Sequence, residues 1–305
     1  MMTKARGTAL GSVAIAGWSV YGVLIAANSV TPPFRSMAIV FSFATAALLL
    51  RRLWLGEGFL EIFRIPAATL ALGVTGLFGN NVLYAVALAL GGAPVPVNIA
   101  SLSWPVFMMA LVAGFGIARP TWLDAAAVLI GFGGVALLAL QHGVSAVNWP
   151  VVLGLVGAFC WALYSALRNR VPAGPRDSML AFVGVSAAAC WALTLFFEQG
   201  SVPLDELARL ALVGVVPVGL ANLAWDFGTR HGDPVFLAGL SFLEPIASTA
   251  LIAVVLSKPV GPWDAAAGGL VLSAVLFSIV SERRRRRDGR AAAATSGLSA
   301  DPLSH

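Results

Sequence analysis

The side chains best able to do chemistry in this chain are polar and amphipathic aromatic residues set inside long apolar runs. Trp18 and Tyr21 stand three apart in the first run, and Trp161 and Tyr164 repeat that pair further on. Asn81 with Tyr84, and Asn222 with Trp225, make a second matched set at the same spacing. Asn98, Ser101, Pro105 and Met108 share one helical face with Trp104 at its edge, and Ser241, Glu244 and Ser248 share another. Polar groups are costly in lipid, so these faces are expected to line one cavity near the membrane midplane. Carboxamides, hydroxyls and backbone exposed at helix breaks bind an ammonium and a carboxylate without a fixed charge. Trp and Tyr walls add stacking and cation–π contact.

Several of these residues have a second reading. Glu244 is either a carboxylate that binds a cationic group or titrates in a working cycle, or a helix-break residue bonded to backbone beside Pro245. Trp18 and Trp161 fit packing as well as lining, while Trp104 fits lining. Trp54, Trp122, Trp149 and Trp263 sit near the ends of apolar runs, where an interfacial belt would place them. Asp226 and Arg230 have the spacing of a surface-facing i,i+4 pair. Asp124 and Asp264 begin runs and read as helix caps. Pro105, Pro245 and Pro217 are expected mid-helix, freeing carbonyls. Gly73, Gly76 and Gly79 form a stripe that lets helices approach closely.

The elements that must hold these residues follow from composition. Of 305 residues, 59% are hydrophobic and 11% charged, against about 25% charged in a soluble domain. Mean hydropathy is +0.88. Such a chain has too little charge to cover a water-facing surface, so its solvent is lipid. Spans are predicted at 8–27, 35–50, 67–90, 94–117, 121–141, 149–168, 179–197, 206–228, 234–256 and 261–281, each near the ~20 residues that cross a bilayer. The first is read as a retained span, since no clean cleavage site follows it. With the N-terminus inside, all of the 19 Lys and Arg except Arg35, Arg209 and Lys258 fall in inside loops and tails. That bias requires an even number of spans and puts both termini in the cytoplasm. The net charge of +5 therefore has a membrane explanation, with the Arg283–Arg287 run as an anchor against an anionic leaflet, and no nucleic-acid partner is implied.

The chain also repeats itself. Gly92–Ala127 aligns without gaps on Gly232–Ala267 with a third of the positions identical, including Pro94 on Pro234, Ser101 on Ser241, Pro105 on Pro245 and Asp124 on Asp264. The Trp18/Trp161 and Asn81/Asn222 pairs extend the match. Spans one to five thus recur as six to ten, and an odd-numbered unit inserts its second copy upside down. The predicted architecture is an all-α membrane protein of ten transmembrane helices in two inverted five-helix repeats. Residues 1–145 form the first repeat, 146–282 the second, and 283–305 a basic, disordered cytoplasmic tail.

Pro94 through Pro105 and its copy Pro234 through Pro245 resemble the EamA-type branch of the drug/metabolite transporter superfamily. Ser241-Phe-Leu-Glu244-Pro245 resembles the Leu-Glu-Pro element of that family's ninth span. Asn98-x-x-Ser101-x-x-Trp104-Pro105 resembles the fourth span of the bacterial aromatic amino-acid exporters within it. The chain departs from the family's usual Gly-Glu pair after spans four and nine, where Arg119 and Lys258 stand. The resemblance implies a secondary transporter that exports aromatic and other neutral amino acids across the inner membrane by alternating access, without cofactor or metal. Its partners would be the amino acid and the lipid bilayer. Export of other small metabolites or drug cations is the alternative, and a membrane-embedded enzyme a remote one. His142, His231 and His305 all fall in breaks or the tail, there is no phosphate loop, and Cys160 and Cys190 read as small packing residues.

Overall fold

Lipid offers backbone groups no partners, so each apolar run has to close its own hydrogen bonds as a helix. The computed structural model describes residues 4–26, 31–91, 97, 100–117, 121–141, 149–172 and 178–241, with single residues and short groups from 243 to 288. Among these residues there is helix and connecting turn and no strand. The helices are α1 (Lys4–Ser19), α2 (Tyr21–Ala26), α3 (Pro33–Trp54), α4 (Ala67–Ala89), α5 (Trp104–Gly114), α6 (Trp122–Gln141), α7 (Trp149–Leu167), α8 (Ser178–Phe197), α9 (Leu204–Val213), α10 (Asn222–His231) and α11 (Pro234–Leu240). A 3-10 turn at Phe59–Arg64 and a π-helical stretch at Gly214–Ala221 complete the series. By length and composition, α3, α4, α7, α8 and the continuous run Leu204–His231 are each able to cross a membrane.

Several spans differ from the sequence expectation in ways that have physical causes. The second span was expected at 35–50, but α3 runs on to Trp54 because Arg52 folds back. Its Nε and Nη2 donate to the Gly58 carbonyl at 3.1 and 2.5 Å, so the guanidinium is buried. At the other end, Pro33 opens α3, and the Glu198 carboxylate accepts from the N–H groups of Phe34 (2.8 Å) and Arg35 (2.7 Å). Those donors have no partner within the helix, so a carboxylate from the end of α8 supplies one.

The first span breaks at Val20, between α1 and α2. The fourth is interrupted by a turn at Leu102–Ser103, so Pro105 sits in the first turn of α5 and not mid-helix as expected. A proline is tolerated there because that turn's N–H has no helical acceptor to lose. The eighth span keeps its proline inside, and the ladder around Pro217 widens into the π stretch. In the ninth, α11 stops before a turn at Ser241, and Pro245 and Ser248 lie outside the described residues. The boundary expected at 145/146 also lies outside them. Of the tail expected to be disordered, Arg283, Arg284, Arg287 and Asp288 are helical, where Arg side chains favour the negative end of a helix. Asp124 caps α6 as read from sequence, its carboxylate accepting from the Thr121 N–H at 2.7 Å. Asp264 lies outside the described residues.

Three helix pairings dominate the core: α1 with α10, α4 with α7, and α3 with α8. The first two, and the contact of α4 with α8, are built on glycine. A Cβ on Gly76 would stand 2.4 Å from the Tyr164 Cβ, one on Gly73 2.5 Å from the Phe182 ring, and one on Gly228 2.4 Å from the Gly11 Cα. Small residues therefore set how close the backbones come. The approach carries Trp18 toward Asn222 and Trp225, and Trp161 and Tyr164 toward α4. Trp54, Trp122, Trp149 and Trp263 stay exposed near the ends of apolar segments.

Candidate functional site

The helix breaks converge on one cavity of about 590 Å³, the open space at its mouth included. Its wall comes from α1, α2, α4, the break before α5, α7, the π stretch, the start of α10 and the residues after Ser241.

One pole of the cavity is aromatic. The Trp18 ring lies edge-on to Trp161 (centroids 5.6 Å apart) and to Trp104 (6.2 Å). Trp225 backs this group at 5.0 Å from Trp18 and 5.3 Å from Trp104. The indole N–H of Trp18 donates to Asn222 Oδ1 at 2.9 Å, and that of Trp225 donates to Ser165 Oγ at 3.0 Å. Both bonds satisfy a buried donor and fix the ring's orientation.

The other pole is polar. The rings of Tyr21 and Tyr84 stand 6.0 Å apart. The Tyr21 hydroxyl is buried and has no hydrogen-bond partner among the described residues. Ser101 Oγ donates to Asn80 Oδ1 at 3.4 Å, while Asn81 Nδ2 donates to the Leu77 carbonyl at 2.8 Å. Glu244 is anchored by its backbone, whose N–H donates to the Ser241 carbonyl at 2.9 Å. Its carboxylate lines the cavity with no ion-pair partner among the described residues.

Behind the aromatic pole lies a buried ionic cluster. Asp226 Oδ1 accepts from the Tyr164 hydroxyl at 2.7 Å and from Arg168 Nε at 2.7 Å. Arg230 approaches the second oxygen at 3.6 Å. Arg168 also reaches Ser178 Oγ at 3.4 Å and stands over the Phe182 ring. The side chains of Arg168 and Asp226 are each 2% exposed, so the sequence reading of Asp226 as half of a surface pair is corrected. Spacing of i,i+4 looks the same on an inward and an outward face, and only the packing of α7 on α10 decides between them.

Of the residues singled out from sequence, Trp18, Tyr21, Asn81, Tyr84, Ser101, Trp104, Trp161, Asn222 and Glu244 line this one cavity. Tyr164 and Trp225 stand behind its wall, held by Asp226 and Ser165. Ser241 is buried in the turn beneath Glu244, and Asn98 lies outside the described residues. Asn80, Leu102 and Val218 also line the cavity and were not singled out. Asn80 carried a signal: it is a carboxamide inside an apolar run next to Asn81. The other two are apolar, and nothing in their type distinguishes them from lipid-facing neighbours.

A helical chain with helices long and apolar enough to cross a membrane, and with an aromatic and polar cavity between them, has the make-up of a small-molecule carrier. The profile of the EamA-like transporter family matches residues 148–280. That match lies in the second half of the chain. Over most of its length it resembles proteins named aromatic amino acid exporter YddG. The one from Ancylobacter novellus is 28% identical over 289 residues, covering 92% of this chain and 100% of that protein. Those from Salmonella typhimurium and Escherichia coli are 26% and 25% identical, each covering 85% of this chain and 91% of theirs. A protein crystal structure superposes with a TM-score of 0.84 at 25% identity, covering 92% of this chain and 99% of that one.

Proposed function

We propose that this chain is a secondary transporter that exports aromatic and other neutral amino acids across the bacterial inner membrane by alternating access. The observation that carries the reading is the cavity itself. Trp18, Trp104 and Trp161 form an apolar aromatic wall, and Tyr21, Asn80, Asn81, Ser101, Asn222 and Glu244 supply polar groups for the amino-acid backbone. The names of the relatives point to the same substrate class.

The architecture proposed for it is ten spans in two inverted five-span repeats, with both termini in the cytoplasm. The sequence repeat supports this, and so do the helix pairings. Exchanging matched halves turns the α1–α10 contact into α4–α7, while α3–α8 maps onto itself. A frame of that kind lets the halves trade shapes and expose the cavity first to one side and then to the other. The Lys and Arg bias supports the orientation.

Purified protein in liposomes loaded with labelled Phe or Trp tests the function. Saturable efflux, with unlabelled Trp competing and glutamate not competing, is the expected result. Efflux no faster than from empty liposomes overturns it. Labelling of cysteines introduced at each terminus tests the orientation: both must be reached from the cytoplasmic side only.

A further inference from the structure

The charge inventory of the cavity is one-sided. Among its described lining residues Glu244 supplies the one carboxylate, and no Lys, Arg or His accompanies it. The arginines behind the wall, Arg168 and Arg230, are both drawn to Asp226. At the Glu244 end the Tyr21 hydroxyl is buried without a described partner, and a buried polar group left in that state is stabilised by any ligand that bonds it.

An ammonium fits this pole. It has three N–H donors, enough for the Glu244 carboxylate and the Tyr21 oxygen together. The Tyr21 and Tyr84 rings, 6.0 Å apart, add cation–π attraction. An aromatic ring joined to that ammonium by a short chain would then lie toward the Trp18, Trp104 and Trp161 wall. Among the described residues a substrate carboxylate finds no cation in the cavity, only amide, hydroxyl and indole donors. Recognition therefore rests on the ammonium and the ring, and loss of the carboxylate costs little.

We infer that this cavity also binds arylalkylamines, aromatic amines of the phenethylamine and tryptamine type that lack a carboxylate, with their ammonium between Glu244 and Tyr21. The inference rests on the reading of the cavity as the substrate site of a carrier.

Competition against labelled Phe bound to the purified full chain, with direct calorimetry alongside, tests it. Phenethylamine is expected to displace Phe within about tenfold of the affinity of Phe itself, and 3-phenylpropionate, which keeps the ring and carboxylate but lacks the ammonium, to be weaker by about a hundredfold or more. Glu244→Gln, monodisperse on size exclusion, is expected to weaken both Phe and phenethylamine by at least about tenfold. Tyr21→Phe, which removes only the hydroxyl, is expected to weaken both by roughly threefold to tenfold. The inference is overturned if 3-phenylpropionate competes as well as phenethylamine. It is also overturned if Phe binds and the amine does not, or if Glu244→Gln leaves the amine's affinity unchanged. Amine binding without Phe binding would leave the inference standing and remove amino-acid export. Binding of neither ligand would remove both.

Discussion

Tyr21 and Tyr164 occupy matching places in the two halves of the chain, each three residues after a tryptophan, and their hydroxyls meet opposite fates. Tyr164 donates to Asp226 at 2.7 Å. Tyr21 has no described partner. The neighbours explain the difference. Four residues past Tyr164 stands Arg168, and four past Tyr21 stands Ile25. Asp226 follows Trp225, and Ala85 follows Tyr84. The matched motifs share a set of rings, while a few neighbouring positions decide which end is a closed ionic cluster and which keeps polar groups facing the cavity. The closed end lies on the side of Lys4, which itself pairs with Asp233 at 2.8 Å.

The largest way to break this contrast is Asp226→Ala. It leaves the Arg168 guanidinium buried without its carboxylate, at a cost of about 3–5 kcal/mol. A strongly lowered thermal unfolding midpoint in detergent is the check. The double replacement Arg168→Met with Asp226→Leu should recover most of that loss, because it removes both charges. Lys4→Ala should cost less than about 1 kcal/mol by the same assay, since Lys4 is 61% exposed in its own pair with Asp233.

Tyr164→Phe comes next. It removes a hydrogen bond to a buried carboxylate and should cost about 1.5–3 kcal/mol. Gly76→Ala is expected to be comparable, at about 1–3 kcal/mol, because its new methyl would meet the Tyr164 Cβ at 2.4 Å and push α4 from α7. Tyr21→Phe is the smallest effect and has the opposite sign. Deleting an unpartnered hydroxyl should leave stability unchanged or raise it by roughly 1 kcal/mol, while lowering substrate affinity in a binding titration. If Tyr21→Phe and Tyr164→Phe destabilise equally, the two ends of the cavity are not different in the way described.

Much of this was legible in the sequence because lipid makes polarity expensive. Asn81, Asn222, Ser101 and Glu244 stood out as polar side chains in apolar runs, and they meet at the cavity. The helices α4, α7 and α8 lie within a residue of their predicted ends. What the sequence hid was contact. Hydropathy ended the second span at the arginines, because no sequence pattern says that Arg52 reaches back to the Gly58 carbonyl. Pro105 announced a helix break but not that the break precedes it. Pro217 gave no sign that its helix would stay intact by widening. Asp226 reads as a surface residue from sequence because its helical neighbour Arg230 explains it, while its nearer partner Arg168 lies just past the end of α7.

Efflux from liposomes carrying the Trp104→Ala, Glu244→Ala double variant, compared with the parent chain at equal reconstitution, tests the central claim most directly. Saturable efflux of labelled Phe and Trp from the parent, falling to the rate of empty liposomes in the variant, is the result expected if this cavity carries the substrate. Equal efflux from both would mean that the substrate travels by another route.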